Sequence, residues 1–414
     1  MNNELHVWMY LPGALEPVHC GTLELVGGRM CRFSYATSWL ELDEAFALSP
    51  DLPLRPGAFE PPVGQDIGPI FEDAGPDRWG RPIIERVFNP RRRSEIDYLA
   101  LVGEDRIGAL AFSSSSETYS PAADQVLHRA DLPALLAAAQ AIERREEIGE
   151  EMRRLLRPGT SAGGARPKAI IEDAGRRWIA KFPADGDTVD VCAIEHASLR
   201  LAQVCDIAVP DSRLVTVRGQ NVLLVERFDR DTDGSRHHFC SARTACLADG
   251  IPIEQAAYSD IANFARRYSA TPTADAREVF RRMVFNVLME NTDDHEKNHA
   301  FLWKNGRWNL APAYDLQPQL QGIDYQALRV GDKGHEPTLE NVMSACGRFM
   351  LTEHEARDIV SAMLVTLARW EIAFAEAGVD ARDIEQCGPF VRVAREAEAW
   401  SEATRSARRS RSRV

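Results

Sequence analysis

Residues 1 to about 115 alternate apolar and polar positions, or run apolar in short stretches, as in LHVWMYL, GTLELV and RMCRFSY. Gly and Pro punctuate these runs, and the pattern predicts a β-rich module of short strands. A proline-rich connection (LPLRPGAFEPPVG) leads to a helical patch around Trp79 to Val87, and GALAFSSSSETYSP closes the module in a serine loop. Residues 131 to 157 read as one helix, with Asp131 as N-cap, Pro133 in the first turn and Arg157-Pro158-Gly159 as its end.

A small antiparallel sheet with one helix is expected over residues 158 to 230. AIIED and RWIAKFP pair across Asp173-Ala174-Gly175, and RLVTV and NVLLVERF pair across Arg218-Gly219-Gln220. Between the hairpins, Asp190 to Cys205 is amphipathic, with Ile194, Ala197, Ser198, Leu201 and Ala202 on one face. From about residue 240 the pattern turns helical. Arg277 to Glu290 carries Phe280, Met283, Val284, Val287 and Leu288 at helical spacing. Thr352 and Glu355 form a capping box that opens a long helix bearing Ile359, Met363, Trp370 and Phe374, which Gly378 stops.

Composition narrows the class. A hydrophobic fraction of 44% and a charged fraction of 27% are ordinary for a soluble globular protein. No stretch approaches a membrane span and the N-terminus lacks signal-peptide features, so a cytoplasmic protein with no membrane partner is expected. The eight cysteines include no C-x-x-C and the histidines lack ligand spacing, which points to reduced thiols and away from zinc. A net charge of −13 argues against a protein that coats nucleic acid by itself. The arginine-rich end, from Arg405 to Arg413, runs against that trend and reads as a flexible basic tail.

The chemistry concentrates in ENTDDHEKNHAFLWKNGRWNLAPAYD, residues 290 to 315. Asp293 and Asn298 have the D-x-x-x-x-N spacing of a kinase catalytic loop, and a hairpin across Asn305-Gly306 returns Asp315 beside them. A phosphoryl acceptor needs a carboxylate to take its proton, and Mg²⁺ on a triphosphate needs hard oxygen ligands. Asp294, next in sequence, reads as solvent-facing. Upstream, Ser161-Ala162-Gly163-Gly164-Ala165-Arg166-Pro167-Lys168 can expose backbone N–H groups to phosphate, or can be an ordinary Gly turn. Lys181 in its apolar strand needs a partner, which the inward face of the next helix offers as Glu195; otherwise Lys181 snorkels to solvent. Glu226-Arg227-Phe228 ends an apolar strand where a kinase has its hinge, though a charged strand end reads the same locally. An ordered series of weak signals is much less probable by chance than any one of them, and the series favours a kinase.

TSAGGARPK, IAKFP, IEHASLRLA, LLVERFDR, NTDDHEKNHAF and PAYDLQP together resemble the HipA family of bacterial toxin–antitoxin serine/threonine kinases. The resemblance implies an α+β, two-lobed protein-kinase-like fold with an additional N-terminal β-rich module. The expected division is a module at 1–125, a connecting helix at 126–157, a small β lobe at 158–235, a helical lobe at 236–404 and a tail at 405–414, with the site in the cleft between the lobes. It implies Asp293 as catalytic aspartate, Asn298 and Asp315 as Mg²⁺ ligands, and Lys181 on the ATP phosphates with Glu195 in support. Gly163, Gly164, Ala165, Arg166, Pro167 and Lys168 would cover the phosphates; Glu226 and Phe228 would hold adenine; His295 and Tyr314 would line the site. Ser161 falls at the family's autophosphorylated serine, a self-limiting switch. The implied partners are a small helix-turn-helix antitoxin, DNA through that antitoxin, and a protein substrate such as glutamyl-tRNA synthetase, an aminoacyl-tRNA synthetase. The chain departs from the family pattern at Arg166-Pro167 and in its basic tail. Two other readings stand beside the toxin kinase: a transcriptional co-repressor acting with the antitoxin, and a small-molecule kinase.

Overall fold

A computed structural model describes residues 3–77, 79–121, 126–147, 149–150, 155 and 166–411, with side chains through residue 402. The fold is α+β and divides into two compact units. One comprises residues 1–187, 210–251 and 300–311; the other comprises 188–209, 252–299 and 312–414.

All three sheets belong to the first unit. The N-terminal sheet has the order β4-β3-β2-β1-β5, built from β1 (Glu4–Met9), β2 (Val18–Val26), β3 (Met30–Tyr35), β4 (Ala58–Phe59) and β5 (Leu110–Ser113). Alternate residues of β2 and β3 are buried, as the sequence pattern requires of strands with one face on a core. A second sheet, β6-β7-β9-β8, contains β6 (Lys168–Asp173), β7 (Arg176–Lys181), β8 (Ser212–Val217) and β9 (Gln220–Glu226). Its two hairpins turn at Ala174-Gly175 and Arg218-Gly219, all four residues at positive φ. That conformation matches the right-handed twist of the strands, and Gly takes it without penalty. The third sheet joins β10 (His238–Ser241) to the hairpin of β11 (Ala300–Lys304) and β12 (Arg307–Leu310).

The helix Leu132–Glu143 covers the second sheet, with Leu132, Leu135, Leu136, Ala139 and Ile142 packed against Ile171, Trp178, Ala180, Val222 and Leu224. It ends fourteen residues short of the expected Arg157. Arg145 is left-handed at φ 57, its N–H bonds to the Ile142 carbonyl, and the Glu146 N–H reaches back to the Ala141 carbonyl. Those two bonds make a Schellman close, here built on an arginine.

The second unit is helical. Its elements include Val191–Val204, Tyr258–Tyr268, Pro272–Leu288, Glu353–Leu367, Trp370–Glu376 and Val393–Arg411. Asp190 caps the first by accepting the Ala193 N–H, and Thr352 and Glu355 form the expected capping box. The long helix expected after Thr352 is two helices, interrupted at Ala368-Arg369 before Gly378 closes the second. Helical backbone also runs through Arg405, Arg408 and Arg409. All eight cysteines are free thiols and seven are buried. Among the described residues no helix is long and apolar enough to cross a membrane.

Candidate active site

The helix Pro272–Leu288 buries Val279, Phe280, Met283, Val284, Val287 and Leu288, which fixes where its C-terminal end delivers the chain. Glu290 then adopts φ 57 and pairs, fully buried, with Arg392, whose Nη2 also reaches Asp324 at 3.1 Å. Arg392 donates its backbone N–H to the Leu288 carbonyl, so both sides of this turn are held. Asp293 follows on the surface, exposed. Asn298 sits at the end of a 3-10 turn (Glu296–Asn298), nearly buried, and its Nδ2 donates to the Asp293 carbonyl at 3.4 Å. That bond ties the two residues together and leaves the amide Oδ1 at the far end of the side chain as the acceptor.

After the β11–β12 hairpin the chain returns through Pro312 to Asp315, which is left-handed at φ 55. For a residue other than Gly this conformation is uncommon and collects at functional sites. Asn291 Nδ2 donates both to the Asp315 carbonyl at 3.3 Å and to Asn286 Oδ1 at 3.1 Å. Asp293 and Asn298 are thus tied to each other and Asp315 is tied to Asn291, all inside the second unit. Tyr314 belongs to it too, its hydroxyl donating to the Lys297 carbonyl at 2.7 Å. His295 begins the 3-10 turn, half-buried.

Asp294 is not solvent-facing. Its side chain is 1% exposed, and Oδ2 accepts from Tyr258 Oη at 2.5 Å, Asn286 Nδ2 at 2.7 Å and His299 Nε2 at 2.9 Å. Burial opposes its ionisation, but the adjacent His299 and the hydrogen bonds from His299 and Tyr258 win and hold the carboxyl below its ordinary range. Burial first, and then the Asp294 charge, push the Tyr258 phenol well above its usual value. Sequence reasoning missed Tyr258, Asn286, Asn291 and His299 altogether. The adjacent aspartates of N-T-D-D were the available signal, since two side chains in succession on a turn rarely face the same way.

In the first unit, Lys168 is the buried first residue of β6, directly opposite Lys181 in β7. Arg166 is ion-paired with Asp187, and the Phe182 N–H donates to the Pro167 carbonyl at 2.9 Å. Ser161, Gly163, Gly164 and Ala165 lie outside the described residues. Glu195 is buried on the helix Val191–Val204, in the second unit, whereas Lys181 belongs to the first. Glu226 ends β9, and both oxygens of its carboxylate accept from Arg176 Nη1 at 3.1 Å. Phe228 is half-buried just beyond.

The residues between have a different task. Arg227 is buried, with Nη1 on Asp105 Oδ1 at 2.8 Å and Nε and Nη2 on the Asp229 carboxylate at 2.9 and 2.8 Å. Asp229 also accepts the Gly108 N–H at 2.8 Å, and Arg230 donates to the Gly108 and Arg106 carbonyls. Burial works against the Asp229 charge, yet Arg227 and Arg230 hold its carboxyl well below the usual range. The V-E-R-F-D-R stretch therefore clamps the end of β9 to residues 105–108 of the N-terminal module.

An amide oxygen and a carboxylate are hard ligands of the kind Mg²⁺ accepts, and Mg²⁺ commonly uses one or two protein groups with water and phosphate completing its octahedron. Asn298 and Asp315 fit that role. Among the described residues no group of three or more His, Cys, Asp or Glu gathers into a metal cluster, so nucleotide oxygens would have to complete the shell.

Known proteins resemble this chain over most of its length. A protein of Sinorhizobium fredii named "Putative kinase Y4mE" is 26% identical over 330 residues, 73% of this chain and 76% of that one. A second protein of the same organism, "Putative kinase Y4dM", is 26% identical over 284 residues, 64% and 66% of the two chains. The HipA of Shewanella oneidensis, solved in a toxin–antitoxin complex with HipB and operator DNA, matches in fold with a TM-score of 0.68 at 18% identity, covering 94% of this chain and 95% of that one. The expected α+β, kinase-like plan with an N-terminal β-rich module is the plan found. The HipA N-terminal domain model matches residues 14–113 and the HipA-like C-terminal domain model matches residues 160–370, and by these matches the chain belongs to the HipA family.

Proposed function

We propose that this chain is an ATP- and Mg²⁺-dependent serine/threonine protein kinase acting as the toxin of a toxin–antitoxin module. The observation that supports the reading is that Asn298 is bonded to the Asp293 carbonyl while Asp315 is tied to Asn291, which precedes Asp293 by two residues in the same loop. Asp293, exposed at the loop surface, orients the acceptor hydroxyl and takes its proton. Asn298 Oδ1 and the Asp315 carboxylate hold Mg²⁺, which when bound neutralises charge on the transferring phosphoryl group. Lys181, opposite Lys168 in the β6–β7 register, is the lysine that the family resemblance assigns to the phosphates, and Glu195 is the glutamate it assigns to that lysine. Main chain at Glu226 and Phe228 meets adenine, while His295 and Tyr314 line the site.

The family supports three finer statements. The partner is a small helix-turn-helix antitoxin, which the HipB–operator complex of the Shewanella relative favours, and DNA is contacted through it. The substrate is a translation protein of the aminoacyl-tRNA synthetase class, and its phosphorylation arrests growth. Ser161 is the site of self-inactivating autophosphorylation.

Incubation with labelled ATP and Mg²⁺ tests the core of the reading. Asp293→Ala and Asp315→Ala should each lower phosphate incorporation by roughly 100-fold or more, since positioning and charge stabilisation supply nearly all of this catalysis. Retained incorporation in both variants would overturn it. Phosphoproteomics after induction identifies the substrate. Growth arrest that persists in Asp293→Ala would favour the co-repressor instead.

A further inference from the structure

Asp294 and His299 each stand one residue after a member of the proposed site, Asp294 after Asp293 and His299 after Asn298. Their side chains meet at 2.9 Å, so one hydrogen bond closes the 293–298 loop at both ends. The same Asp294 oxygen accepts from Tyr258, the first residue of the helix Tyr258–Tyr268, and from Asn286 within the helix that leads into the loop. The Tyr258 and His299 rings pack edge to face, with centroids 5.8 Å apart. Asn286 goes further: its Oδ1 accepts from Asn291, whose Nδ2 also holds the Asp315 carbonyl. An unbroken series of contacts, Asp294–Asn286–Asn291–Asp315, therefore links the loop carrying Asp293 and Asn298 to the loop carrying Asp315.

From this geometry we infer that Asp294 is a positioning residue, setting the spacing of Asp293, Asn298 and Asp315 through a buried polar network without touching substrate. The inference rests on the functional reading above. The physical basis is the cost of alternatives. A carboxylate this deeply buried has nowhere to turn without abandoning three donors, and each abandoned donor would itself be buried. The loop is thereby locked into one backbone conformation. Phosphoryl transfer is sensitive to such locking, because a misplacement of ~1 Å can cost about 100-fold in rate.

The test separates turnover from nucleotide affinity, in the full-length protein with Mg·ATP. Asp294→Ala should lower kcat for ATP turnover by roughly 10- to 100-fold while the Kd for Mg·ATP moves less than about threefold. Asp294→Asn keeps one oxygen for the three donors, because Asp294 Oδ1 makes no hydrogen bond that the amide nitrogen would replace. It should recover most of the lost kcat. Tyr258→Phe removes one donor and should lower kcat a few-fold at unchanged affinity, and it decides the matter if Asp294→Ala does not fold. Wild-type kcat in Asp294→Ala, equal losses in the Ala and Asn variants, or a loss of affinity matching the loss of kcat would each overturn the proposal. Asp293→Ala, run in parallel, tells the two failures apart. If it is inactive while Asp294→Ala is not, only this inference falls; if it is fully active, the functional reading falls with it.

Discussion

Lys168 and Lys181 stand directly opposite each other in the β6–β7 register, so two ammonium groups share one face of the second sheet. Opposed residues on neighbouring strands lie ~5 Å apart at Cβ, and like charges there repel. Two lysines on one face of the sheet suit an anion of high charge such as a triphosphate. Lys181→Met and Lys168→Met should each weaken ATP binding. A charge-assisted bond is worth about 1.5–3 kcal/mol, or roughly 10- to 150-fold in affinity. Isothermal titration checks this, and unchanged affinity in both variants would remove the sheet from the nucleotide site.

Arg227 is the centre of a buried ionic cluster, its side chain 1% exposed and that of Asp229 5% exposed. Truncation would leave Asp229 and Asp105 facing each other with less compensation. Arg227→Ala should cost about 3–5 kcal/mol, the usual range for breaking a buried pair. Urea unfolding measures it, and a loss below 1 kcal/mol would mean the cluster is looser than its geometry. Because the Asp229 carboxyl is held low, its contribution is present above about pH 4, the unfolded value, and drains away as pH falls further.

His238 sets a second acid limit. Burial lowers its pKa from 6.5 to about 4, against a hydrogen bond to the Leu48 carbonyl that favours the charged ring. The unfolded chain binds a proton near pH 6.5 that the folded chain refuses until about pH 4. Stability therefore falls as pH drops through that window, by ~3 kcal/mol in all. His238→Gln keeps a donor for Leu48 and should flatten this slope. Unfolding curves at pH 7, 6 and 5 with the same slope for both proteins would assign the acid sensitivity elsewhere.

Arg145→Gly should stabilise the protein. Arg145 closes the helix Leu132–Glu143 in the left-handed region at φ 57, where a side chain costs ~1 kcal/mol that Gly does not incur. A rise in the urea midpoint of a size matching ~0.5–1 kcal/mol is expected. A fall would indicate that the arginine side chain contributes more than its backbone costs.

The same residue shows where the sequence could be read and where it could not. Each hairpin announced itself because Gly occupies the second left-handed position, at Gly175, Gly219 and Gly306. At Arg145 the identical backbone state carries no glycine, and the helix was expected to run on to residue 157. The break at Ala368-Arg369 has neither Gly nor Pro to mark it. Asp293, Asn298 and Asp315 could be proposed from sequence because kinase chemistry fixes their types and spacing within one short stretch. Asp294 could not, because its partner Tyr258 lies 36 residues upstream. Likewise Arg227 and Asp229 take partners more than 120 residues away, a pairing no local pattern encodes.

The clamp formed by Arg227, Asp229 and Arg230 on residues 105–108 makes the N-terminal module and β9 share one buried polar core. Its two sides come from the N-terminal module and from β9, far apart in the chain. Asp73 also accepts from Ser241 and Thr244, and His238 pairs with Leu48. Removing the N-terminal module would take Asp105 and the Arg106 and Gly108 carbonyls away from Arg227 and Arg230, and Asp73 away from Ser241 and Thr244. The module is therefore part of the support of the sheet-bearing unit and not a detachable appendage.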